Sequence, residues 1–254
     1  MIVRGKITGL NALQAQLRRA PVQMRPALEA PVRTEARLFV QGVIKITPPA
    51  SAGVTGTKAK KQGEAKVRRD IRRVYGSASD LYGLIARRDE RIAKAFYALI
   101  QSGQTAKASA LARRITGHEL QPFDDGAAHR SRRGNRGTVR GKTPTLFTAD
   151  DDAVQEYIEL RQSHVGILPG GFNPAGAELG ARLPAWVRRH GMHPGGIVVI
   201  DRGPNFAIRI SNTAPYAQAQ DMQRRMSYAQ RYRQNALQRK LKAVLKAEEG
   251  RILA

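Results

Sequence analysis

The chain has 254 residues, and its 44 Lys and Arg against 20 Asp and Glu give a formal net charge of +24. Hydrophobic residues make up 41% of it, which excludes a disordered basic tail and favours one domain with an insertion, or two small domains. Cysteine is absent, which excludes a disulfide scaffold, a zinc–thiolate site, an iron–sulfur cluster and a cysteine nucleophile.

The N-terminal residues Met1–Lys6 lack the apolar h-region of a secretory signal. No apolar run approaches the roughly 18 residues that a membrane helix needs. We therefore expect a soluble, non-secreted protein. Thr8 is typical of a helix N-cap, and Leu10, Leu13 and Leu17 share one face of the short helix that it would open.

A longer helix is predicted from Pro26, because proline is favoured in the first turn of a helix. Thr47-Pro48-Pro49 ends it, since proline lacks the N–H that a helix needs. Its apolar residues recur every three or four positions: Leu28, Val32, Ala36, Phe39, Val43 and Ile46. The glycine- and lysine-containing segment 51–63 then predicts a linker.

The segment 64–116 predicts three short helices, with Gly76 and Gly103 between them and Gly117 closing the last. Their apolar positions are Ile71, Val74 and Tyr75 in the first, Ile92, Phe96, Leu99 and Ile100 in the second, and Ala108, Leu111 and Ile115 in the third. From 118 to 144 this periodicity disappears. Because 127–142 is basic and has no acid, it predicts a mobile basic arm or loop.

The C-terminal part predicts short strands, short helices and one final long helix. Strands are expected at 145–148, 197–200 and 206–210. The strand at 197–200 is predicted to be buried, and it should form an antiparallel hairpin with the strand at 206–210. Helices are expected to start at Asp150, with Val154, Tyr157 and Ile158 inward, at Asn173-Pro174 and at Leu183-Pro184. Residues 212–215 cap a last helix over 216–249 with basic outer faces. Its inward stripe includes Ala219, Met222, Met226, Ala229, Tyr232, Ala236, Leu237, Leu241 and Val244.

Signals of metal binding and catalysis are few. His190 and His193 lie in a loop, with no cysteine or nearby carboxylate to complete a zinc site. Asp124-Asp125 lies beside a glycine in a loop, and Asp150–Asp152 is explained by helix capping. Nucleophile elbows, P-loops and dinucleotide fingerprints do not occur. We therefore expect no enzyme activity, no cofactor and no metal.

Basic segments are the more distinctive pattern. The stretch 58–73 has eight Lys or Arg against two acids, 130–142 has six against none, and the last helix keeps a basic face. The simplest interpretation is a solvated surface. The clustering favours sequence-independent contact with phosphates, since neither stacking aromatics nor a base-reading motif accompanies it. The candidate residues are Lys58, Lys60, Lys61, Arg68, Arg69, Arg72, Arg73, Arg130, Arg132, Arg133, Arg136, Arg140 and Lys142.

The order of elements resembles one protein group. A helix with Glu29, Arg33 and Arg37 runs into Ile46-Thr-Pro-Pro, and much later Phe206-Ala-Ile-Arg-Ile-Ser-Asn-Thr-Ala-Pro-Tyr216 leads directly into a long basic helix. Over roughly residues 8–50 and 145–248, this is similar to the neck and tail-completion proteins of tailed phages, the minor-tail-protein-Z-like group. The stretch 165–190 also resembles a prophage minor-tail pattern.

The resemblance implies an α+β fold, with long N-terminal and C-terminal helices packed on a small antiparallel sheet. This core would comprise 1–53 and 145–254, and 54–144 would be a helical insertion with a flexible basic arm at about 118–144. The implied protein is structural and forms a homo-oligomeric ring in the virion neck or tail, assembled in the host bacterial cytoplasm. The ring would join the head connector or stopper to the tail tube, around non-specifically contacted double-stranded DNA and without a membrane partner. Subunit-interface candidates are Trp186, Phe206, Tyr216, Met222, Met226 and Tyr232.

Two other interpretations stay open. The chain could be a free, sequence-independent nucleic-acid-binding protein that acts on RNA or compacts DNA, with the steep salt dependence that such binding has. It could also be a metal-dependent nuclease using His118, Asp124 and Asp125. Self-association separates the first of these from a ring-forming virion protein.

Overall fold

The structure, a computed structural model, describes residues 3–4, 25–51, 53–132, 144, 146–192, 196–201, 206–215, 217 and 221–252. The chain forms two compact units: Met1–Gln62 with Val165–Ala254, and Gly63–His164. The second unit is thus inserted in sequence between the two parts of the first. The short helix predicted after Thr8 lies outside the described residues.

Helices dominate, and the described strands form one small antiparallel sheet and one parallel pair, which is compatible with the α+β class. The helices are α1 (Arg25–Ile46), α2 (Gly56–Arg72), α3 (Ala78–Ala86), α4 (Glu90–Gln101), α5 (Thr105–Thr116), α6 (Ala127–Arg132), α7 (Asp151–Ser163), α8 (Ile167–Gly170), α9 (Asn173–Glu178), α10 (Ala185–Arg188) and α11 (Met222–Ile252). The strands are β1 (Val3–Arg4), β2 (Tyr75–Ser77), β3 (Leu146–Thr148), β4 (Gly196–Asp201) and β5 (Ala207–Asn212).

Helix α1 follows the predicted apolar stripe. Val40 and Val43 are fully buried in the core of the first unit, where Phe39 packs against them. The helix stops where predicted. The hydroxyl of Thr47 donates to the carbonyl of Val43 at 2.7 Å, and Pro48 cannot supply the next N–H. The predicted bounds of this helix are confirmed.

The predicted hairpin of β4 and β5 is confirmed, with Val199 opposite Arg209, and β1 pairs with the other edge of β5. The prediction that β4 is a buried strand is wrong: Ile197 is 48% exposed and Val199 46% exposed. Side chains alternate along a strand, and only one face of this sheet meets the core. The residues on that inner face are Val198, Ile200, Ile208 and Ile210.

Helix α11 packs along α1 and closes the first unit. It begins at Met222 rather than at Tyr216, because Asp221 has a φ of 53°, a left-handed conformation that a right-handed helix does not continue. Its buried residues are Met222, Met226, Ala229, Leu237, Leu241 and Leu245. Tyr232 was predicted in this stripe but is 73% exposed, so that part of the prediction is wrong.

In the second unit, α3, α4 and α5 pack around Phe96 and Leu81, both fully buried. Helix α4 has Asp89 as its N-cap, and α5 ends at Gly117 with a φ of 79°. These two helices confirm the predictions. Periodicity did not reveal α3, whose nine residues depend on a capping box rather than on a long apolar stripe.

Two predictions around the second unit are wrong. Residues 56–63 belong to α2 rather than to a linker, because Lys, Ala, Gln and Glu favour a helix more than the glycines oppose it, and Ala59 is buried. Tyr75 lies in β2 rather than in a helix. It pairs in parallel with Leu146, a partner that sequence periodicity does not reveal. The strand predicted at 145–148 is confirmed as β3.

The predicted mobile arm is wrong over 118–132. Leu120 forms a parallel bridge with Phe147, and α6 buries His129. One apolar and one polar anchor therefore fix a segment whose composition alone resembles a loop. Most of the remaining arm, 133–143, lies outside the described residues.

Candidate functional site

Helix α2 carries exposed basic residues. Lys58 and Lys61 are exposed neighbours one turn apart in the part of the helix that belongs to the first unit, and Arg68 and Arg69 are exposed in the part that belongs to the second. Lys60 and Arg73 are half-buried, and Lys60 lies on another side of the helix. The lysines belong to the first unit and the arginines to the second, so this helix carries basic residues of both.

Other basic candidates are engaged within the second unit. Arg72 forms an ion pair with Asp151. Arg130 is exposed and donates to the carbonyl of Asp125 at 2.7 Å, and Arg132 is exposed at the end of α6. The remaining candidates lie outside the described residues: Arg133, Arg136, Arg140 and Lys142.

A polar cluster, which we call the His129 network, joins four buried residues, Asp70, Tyr75, His129 and Tyr157, to Asp124, which is exposed. The Tyr75 hydroxyl donates to an Asp124 carboxylate oxygen and accepts the backbone N–H of His129 at 3.3 Å. One ring nitrogen of His129 lies 3.1 Å from the Tyr157 hydroxyl and the other 3.3 Å from Asp70. Sequence reasoning missed this network because its members come from three segments that are far apart in the chain, 70–75, 124–129 and 157.

The network perturbs two titrations. Burial, and then the bond to Asp124, raises the pKa of Tyr75 well above its ordinary value of 10.0. Burial acts to raise the pKa of Asp124, but hydrogen bonds from Tyr75 and from the backbone N–H groups of 126–128 outweigh it, so this pKa is lowered. The pair therefore favours a neutral phenol beside a carboxylate.

The surroundings of the network are tightly packed. A Cβ added to Gly126, whose φ is 78°, would lie 2.3 Å from the ring of Tyr157. The ring of Phe123 packs between the rings of Tyr75 and Tyr157, with centroid distances of 5.1 and 5.8 Å. These contacts fix the position of the N-terminal end of α6.

The nuclease interpretation needs Asp124 and His118 to face a metal and a substrate, but both side chains have other partners. Asp124 already accepts hydrogen bonds from Tyr75 and from the N–H of Ala128. The ring of His118 packs against Phe147, with centroids 5.1 Å apart. Among the described residues, no group of three or more His, Asp or Glu side chains could hold a metal ion.

Half of the predicted subunit-interface residues lie in the core of the first unit. Met222 is fully buried, Met226 is 1% exposed and Trp186 is 7% exposed, so these side chains pack within the chain and are not available to a neighbouring subunit. Phe206 is half-buried, and Tyr232 is exposed. Tyr216 lies outside the described residues.

The Asn-Thr-Ala-Pro motif has a structural explanation. Asn212 is fully buried; its side-chain amide donates to the carbonyl of Leu168 at 2.8 Å and accepts the N–H of Ala214 at 3.0 Å. A Cβ at Gly171 would lie 2.1 Å from the Asn212 side chain, so glycine is required for this approach. The hydrogen bond from Asn212 to Leu168 thus links the end of β5 to the short helix α8.

A buried carboxylate between α1 and α11 was also missed. Glu35 is 3% exposed; its Oε1 accepts from Lys240 Nζ at 2.6 Å, and its Oε2 lies 3.7 Å from Arg233. A signal was present, because an acid at 35 falls inside the apolar stripe of α1. The stripe did not reveal its partners, which lie about 200 residues later, 205 in the case of Lys240.

The histidine loop shows local contacts. A ring nitrogen of His190 lies 3.0 Å from the carbonyl of Val165, and His193 lies outside the described residues. In the described part of the chain, none of the helices is both long and apolar enough to cross a membrane.

Comparisons with known proteins give no match: no family model, no curated protein and no solved structure is similar to this chain.

Proposed function

We propose that the protein is a structural component of a tailed-phage virion. It forms a homo-oligomeric ring at the head–tail junction, joining the head connector or stopper to the tail. The resemblance of the elements at 8–50 and 145–248 motivates this proposal. The observation that carries it is the hairpin of β4 and β5, which leaves two aliphatic side chains exposed and leads through the Asn212 junction to α11.

The outer face of this hairpin, formed by Ile197, Val199, Arg209 and Ser211, suits a subunit contact. Ile197 and Val199 lie two positions apart on the same face, each about half exposed at 48% and 46%. Among the described strands, β4 has β5 as its one strand neighbour, so its other edge has no strand beside it. Neighbouring apolar side chains on an edge strand favour association with another chain.

A ring uses heterologous contacts, in which this face meets a different surface of the next copy. Copies with a net charge of +24 repel one another, so salt or a polyanion favours their assembly. The exposed basic residues of α2 supply sequence-independent contacts to DNA that passes through the ring. No catalytic step is needed for this role.

Charging the outer hairpin face tests the proposal. The double variant Ile197→Glu, Val199→Glu is expected to remain folded and to shift sedimentation from ring to monomer at about 0.3 M salt. Each side chain is only about half exposed, so a contact that covers both contributes about 1.5–3 kcal/mol in all, and their replacement raises the dissociation constant by at least about tenfold.

Leu160→Glu is the matched control, because Leu160 is 57% exposed but belongs to the second unit. It should leave the sedimentation unchanged. If the wild-type chain sediments as a monomer at every concentration and salt tested, also with DNA present, the ring proposal fails.

The exposed basic residues of α2 favour one second candidate, a free nucleic-acid-binding protein. Replacing Lys58, Lys61, Arg68 and Arg69 with glutamine should then weaken binding to duplex DNA of any sequence. It should also reduce the slope of log affinity against log salt by about 0.9 for each phosphate that the protein no longer neutralises. A tight monomeric complex with that salt dependence favours this candidate, and an unchanged slope argues against it.

A further inference from the structure

The first unit contains a cavity of about 100 Å³ between α1, β5 and α11. Its wall is largely apolar and includes Val32, Phe39, Ile208 and Leu237. A dry apolar cavity of about 150 Å³ binds one benzene ring. This cavity is smaller but partly open to solvent, so a single ring can enter it from outside and remain partly exposed at its mouth.

Glu35 is one of four polar residues in this wall, with Gln230, Arg233 and Gln234. Its Oε1 is bound by Lys240, but its buried Oε2 has no hydrogen-bond donor among the described residues and lies 3.7 Å from Arg233. Buried polar atoms almost always have a hydrogen-bond partner. Glu35 lines the cavity, and its Oε2 is a covered oxygen behind the wall, without a donor in the described part of the chain, which an O–H group in the cavity reaches once the covering side chains shift.

The surrounding charge decides which donor fits. A Lys or Arg side chain would meet the cations Arg233 and Lys240, and a Phe side chain has no donor. A Tyr side chain has an apolar ring with one neutral O–H. Because the outer positions of α11 are basic and the chain carries a net charge of +24, an acidic segment is attracted and a second copy is repelled.

We propose that this cavity binds a tyrosine side chain from an acidic segment of another protein, with the phenol O–H donating to Oε2 of Glu35. A partner bound in this way would be held where helices α1 and α11 pack together. The inference goes beyond the ring proposal and does not depend on it, since one copy of the first unit holds the whole site.

The test uses the full chain and two small probes. p-Cresol is the tyrosine side chain alone, and toluene has the same ring and methyl group without the hydroxyl. In ligand-observed NMR titrations, p-cresol should bind at least about tenfold more tightly than toluene, as expected of a hydrogen bond to a charged group. Glu35→Gln should reduce this ratio, and Ala36→Leu, which fills the cavity, should abolish the binding of both probes.

A second arm addresses the acidic segment. The peptide acetyl-Asp-Glu-Tyr-Glu-Asp-amide should bind in a salt-sensitive manner, and its Phe counterpart should bind about tenfold more weakly. Equal affinities of p-cresol and toluene would mean that water satisfies Oε2, and would overturn the proposal. Absence of binding by either probe to the wild-type chain would overturn it as well, as would equal affinities of the two peptides.

Discussion

Replacing Asn212 with alanine is expected to lower the free energy of unfolding by about 2–4 kcal/mol. Asn212 is fully buried, and the substitution leaves the carbonyl of Leu168 and the N–H of Ala214 without their partner. A small cavity against Gly171 adds to the destabilisation. Urea unfolding of the full chain, followed by circular dichroism, measures the change.

The neighbouring Ser211 provides the control. Ser211 is half-buried, and its hydroxyl lies a long 3.4 Å from the carbonyl of Ile197, so Ser211→Ala should change stability by less than about 0.5 kcal/mol. Asn212→Asp should be destabilising at neutral pH, because a carboxylate cannot donate to Leu168. If Asn212→Ala and the wild type unfold at the same urea midpoint, the hydrogen bonds of Asn212 do not stabilise the fold as proposed.

Tyr75→Phe is expected to destabilise the second unit by about 1–3 kcal/mol at neutral pH. The substitution keeps the ring but removes the donor to Asp124 and the acceptor of the His129 N–H. The backbone N–H of His129 is then left in a packed interior, whereas Asp124 is exposed and water can take the place of its lost donor. Hydrogen exchange of the amides in 120–132, compared with the wild type, localises the effect.

The same substitution should alter the pH dependence of unfolding. The pKa of Asp124 is lowered in the folded state, so its contribution is present above the unfolded value of about 3.9 and is lost as the pH falls below it. The pKa of Tyr75 is raised, so its contribution is present below about 10 and is lost as the pH rises further. In Tyr75→Phe, the free energy of unfolding should decrease less at alkaline pH than in the wild type, and it should also decrease less at acid pH. Unfolding curves from pH 3 to 11 with the same shape as the wild type would contradict this assignment.

The elements that the sequence predicts correctly are those that local signals specify. The apolar stripe and prolines of α1, the apolar positions of α4, the Gly117 end of α5 and the Asp150 cap of α7 all lie within their own element or directly beside it. Alternation within residues 206–210 likewise predicted the hairpin. Short-range patterns are enough for these features because their partners are only a few residues away.

The buried polar sites could not be predicted from patterns of that kind. Asn212 and Leu168 are 44 residues apart, Tyr75 and Asp124 are 49 apart, and Glu35 and Lys240 are 205 apart. Composition also misled at 118–132, because His129 and Leu120 fix a segment that otherwise resembles a polar loop. Exposure of Ile197 and Val199 depends on which sheet face meets the core, which the run of four aliphatic residues does not encode.

The positive charge is thus divided between different roles. Arg72, Arg233 and Lys240 pair with acids, while Lys58, Lys61, Arg68 and Arg69 stay exposed along α2. The exposed group is one part of the charge that is available to DNA or to an acidic neighbour. Such contacts through phosphates need no base recognition.

Electron microscopy of phage particles purified from a host that makes this chain with a C-terminal tag tests the central proposal most directly. We expect tag density at the head–tail junction, with one tag per subunit of a closed ring around the DNA path. Particles that lack the chain, together with a purified protein that stays monomeric on DNA, would contradict the proposal and favour the free nucleic-acid-binding protein.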